Sequence, residues 1–351
     1  MSKVLLTPGP CMTSETVRQA SALPDLNHRD PEYLSLIRET KERLLEVYGQ
    51  TQTDWHAYLL GGSGTLAVEA MITSCVKTGP VLILENGYYS ERIRDIFEIH
   101  RIPFETVSHG WLEPWDFERI NAKLGAQFEA VIGTHNETTT GRLNDIARLG
   151  ELCRNYGVTC LVDAMSSFGA DAIDLSNLSA VTASANKCLH GLPGVGFVLV
   201  HDSLVETVQS CRARSYYMNL ARYAGAVPPL TPPVPALSAF RQALREYPGS
   251  GSKTRGDDYA DRAAYLRQEL CIRGFCSAVP FDEMSCTLST MTLPAGFTFD
   301  DWFEANLAEG FVIYGCKGEL RDKYFQVSNM GAVTMNQLES WIVAVDRILG
   351  R

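Results

Sequence analysis

Between residues 81 and 163 short apolar runs alternate with amphipathic ones, and no other feature of the chain restricts its fold as strongly. Strand patterns fall at 81–84, 104–107, 130–134 and 159–163, and helical patterns at 91–100, around 115–124, and at 145–156. Such alternation predicts an α/β protein whose largely parallel sheet carries helices on both faces. Upstream, 16–22 and 31–49 read as helices, the second opened by Asp30 and Pro31. A short strand at 58–60 runs into Gly61-Gly62-Ser63-Gly64, and a helix follows with apolar positions at Leu66, Val68, Met71 and Ile72. Downstream, 228–235 (PPLTPPVP) is a stiff extended connection containing Thr231. A helix at 236–247 leads to a candidate linker, Pro248-Gly249-Ser250-Gly251-Ser252. Beyond it, helices at 257–273 and 335–349 and strand-like runs at 286–293, 311–314 and 324–327 predict a smaller α+β unit. The expected division is 12–247 for the large domain, with 1–11 and 248–351 forming the small one.

The balance of 31 basic against 41 acidic residues leaves a formal charge of −10, with no basic run, which argues against nucleic acid as a partner. No apolar stretch approaches membrane-spanning length and the N-terminal run is too short for a signal peptide, so a cytoplasmic protein without a membrane partner is expected. The ten cysteines are scattered, with no Cys-x-x-Cys pair and no zinc-like combination with the seven histidines, so no metal is expected.

The chemistry centres on two strand ends. In 181–200, VTASANKCLHGLPGVGFVLV, two apolar runs flank Lys187 and a Gly-Leu-Pro-Gly turn. Lys187 has small and apolar neighbours and no carboxylate beside it in sequence; burial there disfavours the ammonium, and a neutral amine is what attacks a carbonyl. Asp163 closes the run TCLVD at the carboxyl end of its strand, where open α/β sheets bind ligands. A strand-end acid followed by a strand-end lysine suggests pyridoxal 5′-phosphate, which needs a lysine for its aldehyde and an acid for its ring nitrogen. Ser63, Gly64 and Thr65 open a helix whose N-terminus can cradle a phosphate, although the same glycines can serve a structural turn. Tyr88 and Tyr89 follow another strand, and 135–141 (HNETTTG) adds hydroxyls and a carboxylate at that edge. His28 and Arg29 can hold a substrate anion or form a solvated turn. The Rossmann Gly-x-Gly-x-x-Gly pattern is missing, which speaks against a nicotinamide-dependent dehydrogenase.

Taken together, LLTPGP, GGSGTLAVEA, NGYYSER, HNETTTGRLNDI, VDAMSSFGA, SANKCLHGLPG and GFVIY make the chain similar to the class V aminotransferases of PLP fold type I over nearly its whole length. Within that family it most resembles the 2-aminoethylphosphonate–pyruvate aminotransferases. The resemblance implies a large domain with a mostly parallel seven-stranded sheet flanked by helices, plus the smaller α+β C-terminal domain. It implies that Lys187 bonds the cofactor and moves the substrate proton, Asp163 pairs with the ring nitrogen, Tyr89 stacks on the ring and Thr139 bonds its phenolic oxygen. Ser63, Gly64, Thr65 and Asn186 would hold the phosphate, with Thr231 reaching over from a second subunit, so a homodimer with shared active sites is expected. The implied reaction passes an amino group from 2-aminoethylphosphonate, or a similar small anionic amine, to pyruvate or another 2-oxo acid.

Substrate contacts are expected at Gly9, His28, Arg29 and Gln326. The last is a departure: where the family has Phe-Arg-Ile-Gly-Asn, this chain has Phe325-Gln326-Val327-Ser328-Asn329, and glutamine cannot form a charged bidentate pair with an anion. The pair His28-Arg29 looks more like the phosphoserine aminotransferases and is expected to take over anion recognition. The same departure leaves open a lyase, a racemase or a transaminase for another amine, since one cofactor serves all of these.

Overall fold

The computed structural model describes residues 3–22, 24–125, 127–225, 227–248 and 254–351, so Gly249 to Ser252 of the candidate linker lie outside the described residues. The chain opens with β1 (Val4–Leu5), α1 (Glu15–Ala20) and α2 (Pro31–Glu46). Then come β2 (Trp55–Gly61), α3 (Gly64–Cys75), β3 (Val81–Glu85), α4 (Tyr88–His100), β4 (Phe104–Ser108), α5 (Phe117–Lys123) and β5 (Ala130–Thr134). A small hairpin, β6 (Asn136–Glu137) with β7 (Arg142–Leu143), precedes α6 (Ile146–Tyr156), β8 (Thr159–Asp163), β9 (Ala180–Ser184), β10 (Val195–His201), α7 (Asp202–Ser210) and α8 (Val234–Arg245). The remainder is α9 (Arg255–Ile272), β11 (Leu288–Thr292), α10 (Phe299–Ala308), β12 (Phe311–Val312), β13 (Tyr314–Gly315), β14 (Tyr324–Ser328) and α11 (Met335–Ile348).

Seven strands form the main sheet in the order β2-β10-β9-β8-β5-β3-β4. The pairs from β9 to β4 are parallel, and β10 runs antiparallel to both its neighbours. Because strand side chains alternate in direction, successive residues feed two separate cores. Leu82, Val131, Val162, Val181 and Phe197 point to the face covered by α2, α5, α6 and α8. Ile83, Ile132, Leu161, Ala180 and Val198 point to the other, under α3, α4 and α7. Central strands β3, β5 and β9 are buried along their whole length, as a sheet covered on both sides requires.

A third core gathers Leu6, Leu266, Leu270, Met291, Trp302, Phe311, Phe325 and Trp341 around the antiparallel sheet β11-β14-β13. Its helices α9, α10 and α11 each open on a capping box, at Thr254/Asp257, Thr298/Asp301 and Thr334/Gln337. The run 311–314, expected as one strand, is two: Phe311–Val312 pairs with Val4–Leu5, and Tyr314–Gly315 turns to pair with β14. Ile313, buried between them, marks the change of partner. Among the described residues no helix is long and apolar enough to cross a membrane, and no three ligating side chains are grouped for a metal.

Phe197 is fully buried, with its ring centroid 5.1 Å from that of Phe168 and 6.0 Å from that of Phe240. Phe197→Ala is expected to lower the unfolding free energy by about 3–5 kcal/mol, read from urea denaturation, because the cavity cannot close between a helix and a central strand.

Candidate active site

Lys187 stands in the turn after β9, and its Nζ donates a 2.7 Å hydrogen bond to the carbonyl oxygen of Pro8. Gly9 has φ +128°, and a Cβ there would run into Lys187 Nζ, so the amine is roofed by backbone that only glycine can provide. Cys11 Sγ donates to the carbonyls of Asn186 and Lys187 at 3.5 and 3.2 Å. From α9, Arg255 donates to the Cys188 carbonyl at 3.2 Å, and the Tyr259 hydroxyl donates to the same oxygen at 3.3 Å. That hydroxyl also meets Nε2 of His190 and accepts the Gly331 N–H at 3.1 Å. The lysine-bearing turn is thus fixed from the small unit. Burial pushes the Lys187 ammonium below its ordinary pKa, which enlarges the neutral, nucleophilic fraction.

Asp163 ends β8 and is buried. Burial pushes its carboxyl up, while the charge of Arg92 and a 2.9 Å hydrogen bond from the Met165 N–H draw it down. Nearby, Ser63 precedes α3 in extended conformation and makes no side-chain cap bond, which leaves the first-turn N–H groups without a side-chain cap. A Cβ on Gly64 would strike Met165 Sδ, so glycine brings the start of α3 against the Asp163 loop.

Tyr89 lies in the first turn of α4, which begins three residues before the expected 91. The reason is Glu137, buried in the hairpin opposite. Its carboxylate accepts the N–H groups of Tyr89 and Ser90 at 3.4 and 3.1 Å, and so supplies a helix cap from across the site. It also accepts the Thr139 N–H at 3.0 Å and the Thr139 hydroxyl at 2.5 Å. The Thr139 oxygen in turn accepts the Tyr88 N–H at 3.0 Å. To donate to a cofactor oxygen, this hydroxyl must leave Glu137. The guanidinium of Arg92, one turn beyond Tyr89, lies 4.9 Å over the Tyr89 ring and donates to Thr65 Oγ1 at 3.1 Å.

Gln326 is buried on β14, and its amide donates to the carbonyls of Thr138 and Thr139 at 2.6 and 3.2 Å and to Thr290 Oγ1 at 3.1 Å. It therefore fastens the small sheet to the hairpin turn that holds Thr139. Gly9, Ser63, Gly64, Thr65, Tyr89, Thr139, Asp163, Asn186, Lys187 and Gln326 belong to one connected set of contacts. His28 and Arg29 lie outside it, in the turn before α2, where Arg29 is exposed and Asn27 Oδ1 accepts its backbone N–H. Thr231 is exposed on the wall of a cavity shared with Gly61, Tyr217 and Pro233. Sequence reasoning marks Glu137 only as a carboxylate on this edge and passes over Pro8, Arg92, Arg255 and Tyr259. Of these Arg92 was within reach, since it shares a helix face with Tyr89 three positions earlier.

The Aminotransferase class-V family model matches residues 69–294. A 2-aminoethylphosphonate–pyruvate transaminase of Lysinibacillus sphaericus (strain C3-41) is 31% identical over 362 residues, covering 98% of this chain and 97% of that protein. A bifunctional phosphonoacetaldehyde hydrolase/aminoethylphosphonate transaminase of Clostridioides difficile (strain 630) is 32% identical over 365 residues; the match covers 99% of this chain and only 56% of that longer protein. Among solved structures, an alanine–glyoxylate aminotransferase from Nostoc sp. superposes with a TM-score of 0.93 at 28% identity, covering 99% of this chain and 96% of that one.

Replacing Glu137 by Gln turns one acceptor into a donor facing the N–H groups of α4 or Thr139. Glu137→Gln is expected to lose about 1–3 kcal/mol of stability in urea denaturation, the cost of leaving a buried donor unpaired.

Proposed function

The chain belongs to the class V aminotransferases, and from that premise we propose that it transfers the amino group of 2-aminoethylphosphonate to pyruvate with pyridoxal 5′-phosphate as cofactor. The observation that carries this reading is the buried Lys187 amine, held against backbone with no carboxylate in contact among the described residues and within reach of the charge of Asp163. The residues fit the cofactor. Uncapped N–H groups at the start of α3 suit a phosphate, and a carboxylate that burial deprives of solvent suits the counter-charge of a protonated ring nitrogen. When bound, the cofactor supplies an aldehyde for amine exchange and a ring that accepts the electron pair left by the departing substrate proton.

In this reading Lys187 Nζ would hold the cofactor's aldehyde and would serve as the base that moves a proton at the substrate carbon. Asp163 would keep the ring nitrogen protonated, Tyr89 would cover the ring, and the Thr139 hydroxyl, released from Glu137, would bond the phenolic oxygen. Ser63, Gly64, Thr65 and Asn186 hold the phosphate. Residues 12–247 carry the cofactor, and 1–11 with 248–351 form the smaller unit. We further infer a cytoplasmic homodimer in which the exposed Thr231 completes the other subunit's phosphate site; the Tyr216, Tyr217 and Val227 side chains, exposed around it, support an interface there. Gly9 bounds the substrate space over Lys187. With the amide of Gln326 taken up by backbone carbonyls, we assign the substrate's distant anion to Arg29 with His28. No observation favours the lyase, racemase or other-amine alternatives.

Adding 2-aminoethylphosphonate alone to the purified enzyme is expected to move the cofactor's visible absorbance to shorter wavelength in a single turnover, and pyruvate to restore it. Lys187→Ala is expected to abolish both changes, whereas a visible band untouched by 2-aminoethylphosphonate would exclude this donor. Arg29→Ala is expected to raise KM for 2-aminoethylphosphonate about 10- to 100-fold, the loss of one charged hydrogen bond; an unchanged KM for every anionic substrate would remove Arg29 from the assignment.

A further inference from the structure

Arg92 is the cation that the site's expected residues leave out. Among the described residues it forms no ion pair with a carboxylate, and its Nε–H is buried without a hydrogen-bond partner. Its guanidinium is held by two contacts, the 3.1 Å hydrogen bond to Thr65 Oγ1 and the face of the Tyr89 ring 4.9 Å away. The Asp163 carboxyl feels the Arg92 charge without an ion-pair contact, so the spare N–H remains without a hydrogen-bonding anion. The uncapped start of α3, of which Thr65 is the second residue, is where such an anion fits.

The direction of the Thr65 bond matters. Arginine has no acceptor, so Arg92 must donate to Thr65 Oγ1, and the threonine's own proton is thereby directed away, free to be donated onward. The same guanidinium lies over the Tyr89 ring, a contact that holds it beside Thr65. We propose that Arg92 is a positioning residue for the cofactor: it sets the Thr65 hydroxyl as a donor to the phosphate. This rests on reading α3 as the phosphate-binding helix. Its effect is therefore expected to be specific to phosphate-bearing ligands and to pass through Thr65.

The test is binding to the cofactor-free enzyme, followed by tryptophan fluorescence and visible absorbance. Wild type, Arg92→Gln, Arg92→Lys, Thr65→Ala and the Arg92→Gln/Thr65→Ala double variant are each titrated with pyridoxal 5′-phosphate and with pyridoxal, which lacks the phosphate. Arg92→Gln is expected to weaken pyridoxal 5′-phosphate about tenfold or more, a typical loss for a charged hydrogen-bond network, and pyridoxal much less; Arg92→Lys recovers part of the loss. The double variant should bind pyridoxal 5′-phosphate no more weakly than Thr65→Ala alone, since a residue acting through another shows no separate effect. Equal loss for both ligands, or losses that add in the double variant, would overturn the proposal and leave Arg92 a structural residue. If wild type bound neither ligand, the cofactor reading itself would fail, which is a distinguishable result.

Discussion

The buried carboxylate of Glu137 is the interaction on which the site depends. It lies in a two-strand hairpin and gathers donors from two elements, the first turn of α4 and the Thr139 turn. Without it, α4 would begin with unpaired N–H groups, and Tyr89 would lose the helix position that carries its ring into the site. Gly87 is part of the same arrangement, because a Cβ there would collide with the Glu137 side chain. A carboxylate in such surroundings is stable only when its donors are complete, so the hairpin, α4 and Thr139 form together or not at all.

Around this point the two units share the work. The large sheet supplies Asp163 and Lys187 at its strand ends, while the small unit determines how their loops lie. Tyr259 and Arg255 hold the Cys188 carbonyl, and Gln326 holds the carbonyls of Thr138 and Thr139. The glutamine that stands where the family has arginine is therefore a structural fastener as well as a loss of charge.

What the sequence made legible follows from how local each signal is. Strands β3, β5, β8 and β9 announce themselves by composition, and α9 and α11 by their helical pattern, because those preferences act within a few residues; α10 was not expected, although Thr298 and Asp301 form a capping box at its start. The onset of α4 was missed because its cap is supplied by Glu137, far away in the chain. The run 311–314 was misread as one strand because a change of partner leaves no mark on apolarity. Lys187 and Asp163 were singled out by type and spacing, whereas Tyr259 and Arg255, which act on backbone carbonyls, look in sequence like any other residues of an amphipathic helix. Gln326 was legible as a departure from the family, but its engagement with Thr138 and Thr139 was not.

The roof over Lys187 has a consequence for how the protein comes to exist. Pro8 and Gly9 follow β1, whose partner is β12, Val4 lying beside Phe311. Strand pairing between such distant segments closes late, after more local structure has formed. During synthesis the large sheet can assemble while its reactive amine still lacks a covering, and the site is finished only when the C-terminal strands have left the ribosome. The covering of Lys187 by Pro8 and Gly9 thus depends on strands at the far end of the chain.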